Sequence, residues 1–214
     1  MPEKLNLKPT PPYDIKSHFE TYLGHKPQPQ TYLEESYRRA IYISEKPVPF
    51  EVGLNEEVED PVLKVRVYSK LSEAGLKRVR RKIEWIFNTQ LDLKPMYRFM
   101  ETRPSLKPLM KRNYGLRPER CPTFHEALVK AVIEQQISLQ VAKEMTWQLI
   151  SKFGRRLSEE NRDFWTFPTP GKLAKEEVGE IKDCKLSRRK AEYIKNISQL
   201  VVSGELEELK DKKA

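Results

Sequence analysis

The sequence predicts an α+β protein: a small antiparallel sheet domain with a helix over residues 1–102, then an all-helical domain over residues 103–214. Three observations carry that reading. Apolar residues alternate with a period of two in short runs between residues 37 and 68, as half-buried strands require. From Ser72 onward the spacing becomes that of amphipathic helices. Charge also divides unevenly, with 17 Lys and Arg against 15 Asp and Glu in residues 1–102, a balance of +2, and 23 against 16 in residues 103–214, a balance of +7.

Residues 1–35 are rich in proline, hold two aromatic stretches ("YDIKSHFETYL" and "QTYLEESY") and read as partly irregular. In "YRRAIYIS" (37–44) Ile41 and Ile43 point one way and Tyr42 the other. "VPFEVGL" (48–54) is a second strand, bounded by turn signals. "VLKVRVY" (62–68) sets Leu63, Val65 and Val67 against Lys64, Arg66 and Tyr68, a strand with one buried face. Ser72 then caps a helix whose buried face is Leu76, Val79, Ile83 and Ile86. No strand is read beyond it. "RPSLKPLMKRNYGLRPERCPT" (103–123), with four prolines and a glycine, reads as a short helix and an ordered connection. Helices follow at about 124–135, 139–153, 170–176, 187–202 and 205–210.

Composition removes several function classes. No apolar run approaches the roughly 20 residues of a membrane span, and the start has no apolar core of a secretory signal. Both point to the cytoplasm. Cys121 and Cys184 fit no metal or redox spacing, and His18, His25 and His125 are scattered, so neither a metal nor a cofactor is expected. Solvated lysine-rich helix faces account for much of the charge, but not for its concentration after residue 102. That asymmetry points to a polyanionic partner.

The stretch "AVIEQQISLQVAKEMTWQLISKFG" (131–154) breaks its own pattern. Leu128, Val132 and Ile133 precede the break; Val141, Met145, Leu149, Ile150 and Phe153 follow it. Gln135 and Gln136 stand between, and Ser138 is placed to cap the next helix. From the residues alone, two exposed amides in an interhelical loop would explain them. A second stretch, "KLSRRKAEYI", has Ser187 as a cap and a buried stripe of Ala191, Ile194 and Ile197. Arg188, Arg189 and Lys190 crowd its first turn, where the helix dipole disfavours cations, so an anion nearby or a solvated basic turn are both open.

Taken in order, the helix ending in "QQIS", the "FPTP-x-x-LA" turn into a helix and the "C-x-LS-x-RKAEYI" helix start resemble the helix-hairpin-helix DNA glycosylases, in their 3-methyladenine DNA glycosylase II branch. That branch opens with a small antiparallel sheet domain, so the likeness extends to most of the chain. The resemblance implies base-excision repair: a damaged nucleotide leaves the duplex, its N-glycosidic bond is hydrolysed, and a side chain fills the gap. Gln135 and Gln136 match the wedge positions, with Gln136 at the inserted one; a flat amide can stack like a base and meet the orphaned partner's edge. Ser138, Arg188, Arg189 and Lys190 become candidate contacts to the DNA backbone. One departure is Lys185, where relatives carry glycine before "LS".

The resemblance also implies a hairpin turn and a catalytic Asp after the helix near Leu206, and the sequence reaches "EELKDKKA" without them. Glu134 neighbours the wedge, yet the glutamate of adenine-mismatch relatives would fall at Ala131, so no catalytic residue is assigned. The 214-residue chain is therefore expected to be inactive alone, its hairpin and Asp either encoded separately, on a second polypeptide, or lost. The alternative is a non-catalytic protein that recognises distorted duplex. Either way the partner is double-stranded DNA with a damaged base, in the cytoplasm at the nucleoid.

Overall fold

The computed structural model describes residues 2–17, 26–33, 36–53 and 57–206. Outside them lie most of the expected helix at 205–210, the "HFETYL" part of the first aromatic stretch, Glu34 and Glu35 of the second, and Leu54 at the end of the second expected strand. The strands are β1 (Glu3–Leu7), β2 (Thr31–Leu33), β3 (Ser36–Ile43), β4 (Lys46–Gly53) and β5 (Leu63–Val67). They form one sheet in the order β1-β5-β4-β3-β2. β5 lies antiparallel to both neighbours, with Leu5 and Val52 each opposite Val65. The three expected strands are β3, β4 and β5. β1 and β2, inside the segment read as partly irregular, are the two edges, and an edge strand such as β1 (EKLNL, buried only at Leu7) carries little alternation to read.

In β5, Leu63, Val65 and Val67 are buried while Lys64 is exposed, the expected alternation. Helix α1 (Glu73–Ile86) starts at Ser72, whose Oγ accepts from the Gly75 amide at 3.2 Å. Val79, Ile83 and Ile86 are fully buried; Leu76, in the first turn of that stripe, is half-buried. Two short helices follow, α2 (Lys94–Glu101) and α3 (Lys107–Arg112), each with a proline in its first turn.

The chain divides into two compact units: residues 1–25, 31–38 and 42–120, and residues 26–30, 39–41 and 121–214. Residues 103–120, read from the sequence as the start of the helical domain, thus cluster with the sheet. Their hydrogen bonds say why. Arg117 donates to the carbonyls of Thr10, Pro12 and Leu91, Glu119 accepts from the hydroxyls of Tyr32 and Tyr37, and the Arg120 amide donates to Ile86.

The second unit contains α4 (Phe124–Glu134), α5 (Leu139–Phe153), β6 (Arg156–Glu159), β7 (Arg162–Trp165), α6 (Pro170–Lys175), α7 (Val178–Lys182) and α8 (Arg188–Ser203). The expectation of an all-helical domain without further strands fails at the β6–β7 hairpin. Its strands are four residues each, too short for a periodic signal, and its turn places Glu160 and Asn161 both in the left-handed region, at φ 49° and 59°. Phe164 of β7 is fully buried, and Trp165 meets Trp147 of α5 edge to face at 4.9 Å. Gly154 ends α5 where a Cβ would lie 2.5 Å from the carbonyl oxygens of both Ile150 and Thr166, so only glycine fits that close approach.

α8 is the hub of this unit, packing on α4, α6 and α7. Its Ala191 and Ile194 enter a core with Val129, Ile133, Leu149 and Ile150. Val141, expected in the buried stripe of α5, is 45 % exposed, and Ala142 is buried instead. The segment 26–30 is tied to α5 by Gln28, whose amide donates to the Lys143 carbonyl, and by the Lys26–Glu144 ion pair at 2.7 Å. Arg39 forms a fully buried ion pair with Glu126 in the first turn of α4. Removing one partner of such a pair would strand a charge in the core, at a cost of about 3–5 kcal/mol.

Candidate nucleic-acid interface

The backbone changes course sharply between α4 and α5. Ile133 is fully buried, Gln135 leaves the helix at φ −60° and ψ 131°, and Gln136 takes φ 56°. Ser138 then caps α5, its Oγ accepting from the Val141 amide at 3.4 Å. Ile137 packs against the core, whereas Gln135, Gln136 and Ser138 are exposed. The amides therefore interrupt no core helix: they occupy a tight loop anchored by an isoleucine on each side. A left-handed backbone costs an L-residue other than glycine about 1–2 kcal/mol, and such a conformation persists where its surroundings hold it.

That support comes from α8. Ser187 caps this helix, its Oγ accepting from the Lys190 amide at 3.2 Å. Lys190, beside the buried Ala191, extends its ammonium to the loop and donates to the carbonyls of Ile133 and Gln135, both at 2.8 Å. The three cations of this turn all have protein partners. Arg188 Nε donates to Glu192 at 3.0 Å, and Arg189 Nε donates to the Tyr193 hydroxyl at 2.7 Å. Their crowding thus has an explanation without an external anion. Arg188 and Arg189 nevertheless remain exposed, the Arg188 side chain at 81 %, and an exposed pair holds its partner weakly.

The sequence-predicted residues do not form one cluster of equivalent contacts. The structure brings Lys190 directly onto the Gln135 backbone, leaves Gln136 and Ser138 outward in the loop, and keeps Arg188 and Arg189 on the exposed side of α8. Lys185, the departure from the motif, takes φ 64°, a left-handed backbone. Its ammonium reaches Glu144 at 3.2 Å. Hydrogen bonds from Lys26, Gln148 and Lys185 hold the Glu144 carboxyl down at about 2. Sequence reading found Lys185 by its departure from the motif but had no signal for Lys26 or Glu144, which are 118 residues apart.

Exposed Leu139 and Val141 continue the loop's surface along the first turn of α5. Glu134, at the last turn of α4, is also exposed. Nothing among the described residues groups three or more metal-binding side chains. The arrangement offers a projecting amide, a capping hydroxyl at the amino end of a 15-residue helix, two apolar side chains and nearby guanidinium groups. Such a set can enter a base stack and meet phosphate oxygens.

A family model described as HhH-GPD superfamily base excision DNA repair protein matches residues 129–213, which contain the whole loop and α8. The DNA-3-methyladenine glycosylase of Bacillus subtilis strain 168 is 35 % identical over 123 residues, 58 % of this chain and 40 % of that protein. The solved 3-methyladenine DNA-glycosylase of Archaeoglobus fulgidus superposes with a TM-score of 0.77 at 28 % identity, over 92 % of this chain and 66 % of that one. The 8-oxoguanine glycosylase/lyase of Clostridium acetobutylicum, solved with double-stranded DNA containing cytosine opposite 8-oxoguanine, gives a TM-score of 0.68 at 21 % identity, a likeness of fold. The chain thus spans 40 % of that curated relative and about two thirds of those solved chains. Residues 129–213, with the loop between α4 and α5, match the HhH-GPD superfamily of base excision DNA repair proteins, and the chain is similar to 3-methyladenine glycosylases in part of its sequence and in its fold.

Proposed function

We propose that this protein acts in base-excision repair as part of a DNA N-glycosylase of the alkylated-base, 3-methyladenine type. It grips duplex DNA that holds a damaged base and compensates the flipped nucleotide with Gln136. One observation carries the reading: an exposed amide held at φ 56° in a tight loop, within the segment that matches the repair family. Ser138 and the α5 amino end are assigned to a phosphate beside the gap, and Arg188 and Arg189 to the DNA backbone. None of these residues is assigned a bond-breaking role.

Binding to duplex with an abasic-site analogue, against undamaged duplex, tests the assignment. Gln136→Ala should weaken the first, since unstacking a base costs a few kcal/mol that the inserted amide offsets. The second rests on phosphate contacts and should barely change. Folding stability should move by about 0.5 kcal/mol or less, as at other exposed sites. Equal affinity of both proteins for both duplexes, or a steep loss of melting temperature, would make the two glutamines structural. Release of free 3-methyladenine from alkylated DNA by the 214-residue chain is a separate readout, and any activity there would make Glu134 the first residue to mutate.

A further inference from the structure

We propose that Lys190 is the positioning residue of the wedge, a latch that fixes Gln136 through the backbone rather than a contact to DNA. The inference rests on the reading of Gln136 as the inserted side chain. Lys190 is only partly exposed, and its ammonium donates to two carbonyls of the loop, Ile133 and Gln135, at 2.8 Å each. Those carbonyls belong to the end of α4, where the helix itself supplies no amide partners and where a cation is favoured by the helix dipole. A third proton of the ammonium is the most it could offer elsewhere.

The geometry makes the latch specific to the wedge. The Gln135 carbonyl belongs to the peptide that joins Gln135 to Gln136. Holding that carbonyl fixes the orientation of the peptide plane and with it the φ angle of Gln136, the strained angle of the loop. Lys190 is in turn fixed by its own helix, between the Ser187 cap and buried Ala191. A wedge that is already rigid when it meets DNA loses less conformational freedom on insertion.

The test uses the full 214-residue chain with Lys190→Met, which keeps the aliphatic length, Lys190→Arg, which restores donors, Gln136→Ala, and the Lys190→Met/Gln136→Ala double variant. Fluorescence anisotropy gives affinities for undamaged duplex and for duplex with a tetrahydrofuran abasic site. 2-Aminopurine opposite that site reports insertion into the stack. Lys190→Met should lose about tenfold in affinity for the abasic duplex, the scale of a charge-assisted hydrogen bond, and should leave undamaged duplex unchanged. The 2-aminopurine response should fall with it and return in Lys190→Arg. The double variant should bind no more weakly than Gln136→Ala alone, because both changes act on one event. Equal losses on both duplexes, with the salt slope reduced by about one charge, would make Lys190 a phosphate contact and overturn the latch. A further measurement needs no DNA: the HN–Hα coupling of Gln136, which reports φ, should shift in Lys190→Met and return in Lys190→Arg. An unchanged coupling overturns the latch whatever the DNA results. A shifted coupling with a silent Gln136→Ala leaves the latch standing and removes the wedge reading instead.

Discussion

His125, the second residue of α4, shows how one side chain couples burial to pH. Its Nε2 lies 2.9 Å from Ser198 Oγ, and that hydroxyl donates its own proton to the Ile194 carbonyl at 2.7 Å. With that proton so placed, Nε2 is the donor to Ser198 Oγ. Burial pushes its pKa down to about 4. An unfolded chain takes up this proton near its ordinary value of about 6.5, so between those two values the unfolded state binds more protons. The stability contributed by neutral His125 is complete above about pH 6.5 and is lost as the pH falls towards 4. Between pH 7.5 and 5 we expect a loss of about 2 kcal/mol, read from urea midpoints. His125→Gln keeps a donor toward Ser198 and should flatten that dependence. A slope unchanged by the substitution would place the proton uptake elsewhere. Depressed carboxylates such as Glu51, which burial alone would raise but Arg38, Ser36 and Tyr68 hold below the usual range, act in the same direction at more acid pH, where they become protonated.

The turn from α7 into α8 sets a similar conflict at the level of an element. Lys185 is left-handed at φ 64° and also pairs with Glu144 at 3.2 Å. Relief of the left-handed strain by glycine is worth about 1–2 kcal/mol, and the added unfolded-state freedom removes about 0.5–1. The exposed ion pair contributes little. Lys185→Gly should therefore raise stability by about 0.5 kcal/mol, whereas Lys185→Ala keeps the strain, loses the pair and should not stabilise; calorimetry of both variants checks the order. The elements themselves were legible in proportion to their periodicity. α1, α4, α5 and α8 were placed to within about two residues because each carries a buried stripe and a Ser or Thr cap. β1, β2, the β6–β7 hairpin, α2 and α7 were missed, being short or at an edge, where few buried positions leave a pattern. The α4–α5 loop was legible as a break in a pattern. The grip of Lys190 on it was not, because a contact between residues 55 and 57 apart in sequence leaves no periodic trace.

At the scale of the whole molecule the question is how much of the basic excess can act on DNA. The chain carries +9, of which +7 falls after residue 102. Many of those cations are already paired: Lys152 with Glu180 and Asp183, Arg156 with Asp163, Arg162 with Glu160, Lys172 with Glu176. These pairs lie largely exposed and are screened by salt, so they lower the local potential without locking the side chains away. Under the proposed function, association with duplex is driven by the unbalanced remainder, and each phosphate it neutralises releases condensed counterions. Affinity for undamaged duplex should then fall linearly on a log–log plot against salt, with a slope of about 0.9 per phosphate contacted. Arg188→Ala should weaken undamaged and abasic duplexes alike and lower that slope by about one contact. Anisotropy titrations over a series of salt concentrations measure both. A flat dependence would mean that the basic excess only solvates helix faces, and duplex binding through phosphates would have to be abandoned even if the loop at Gln136 proved to be a wedge.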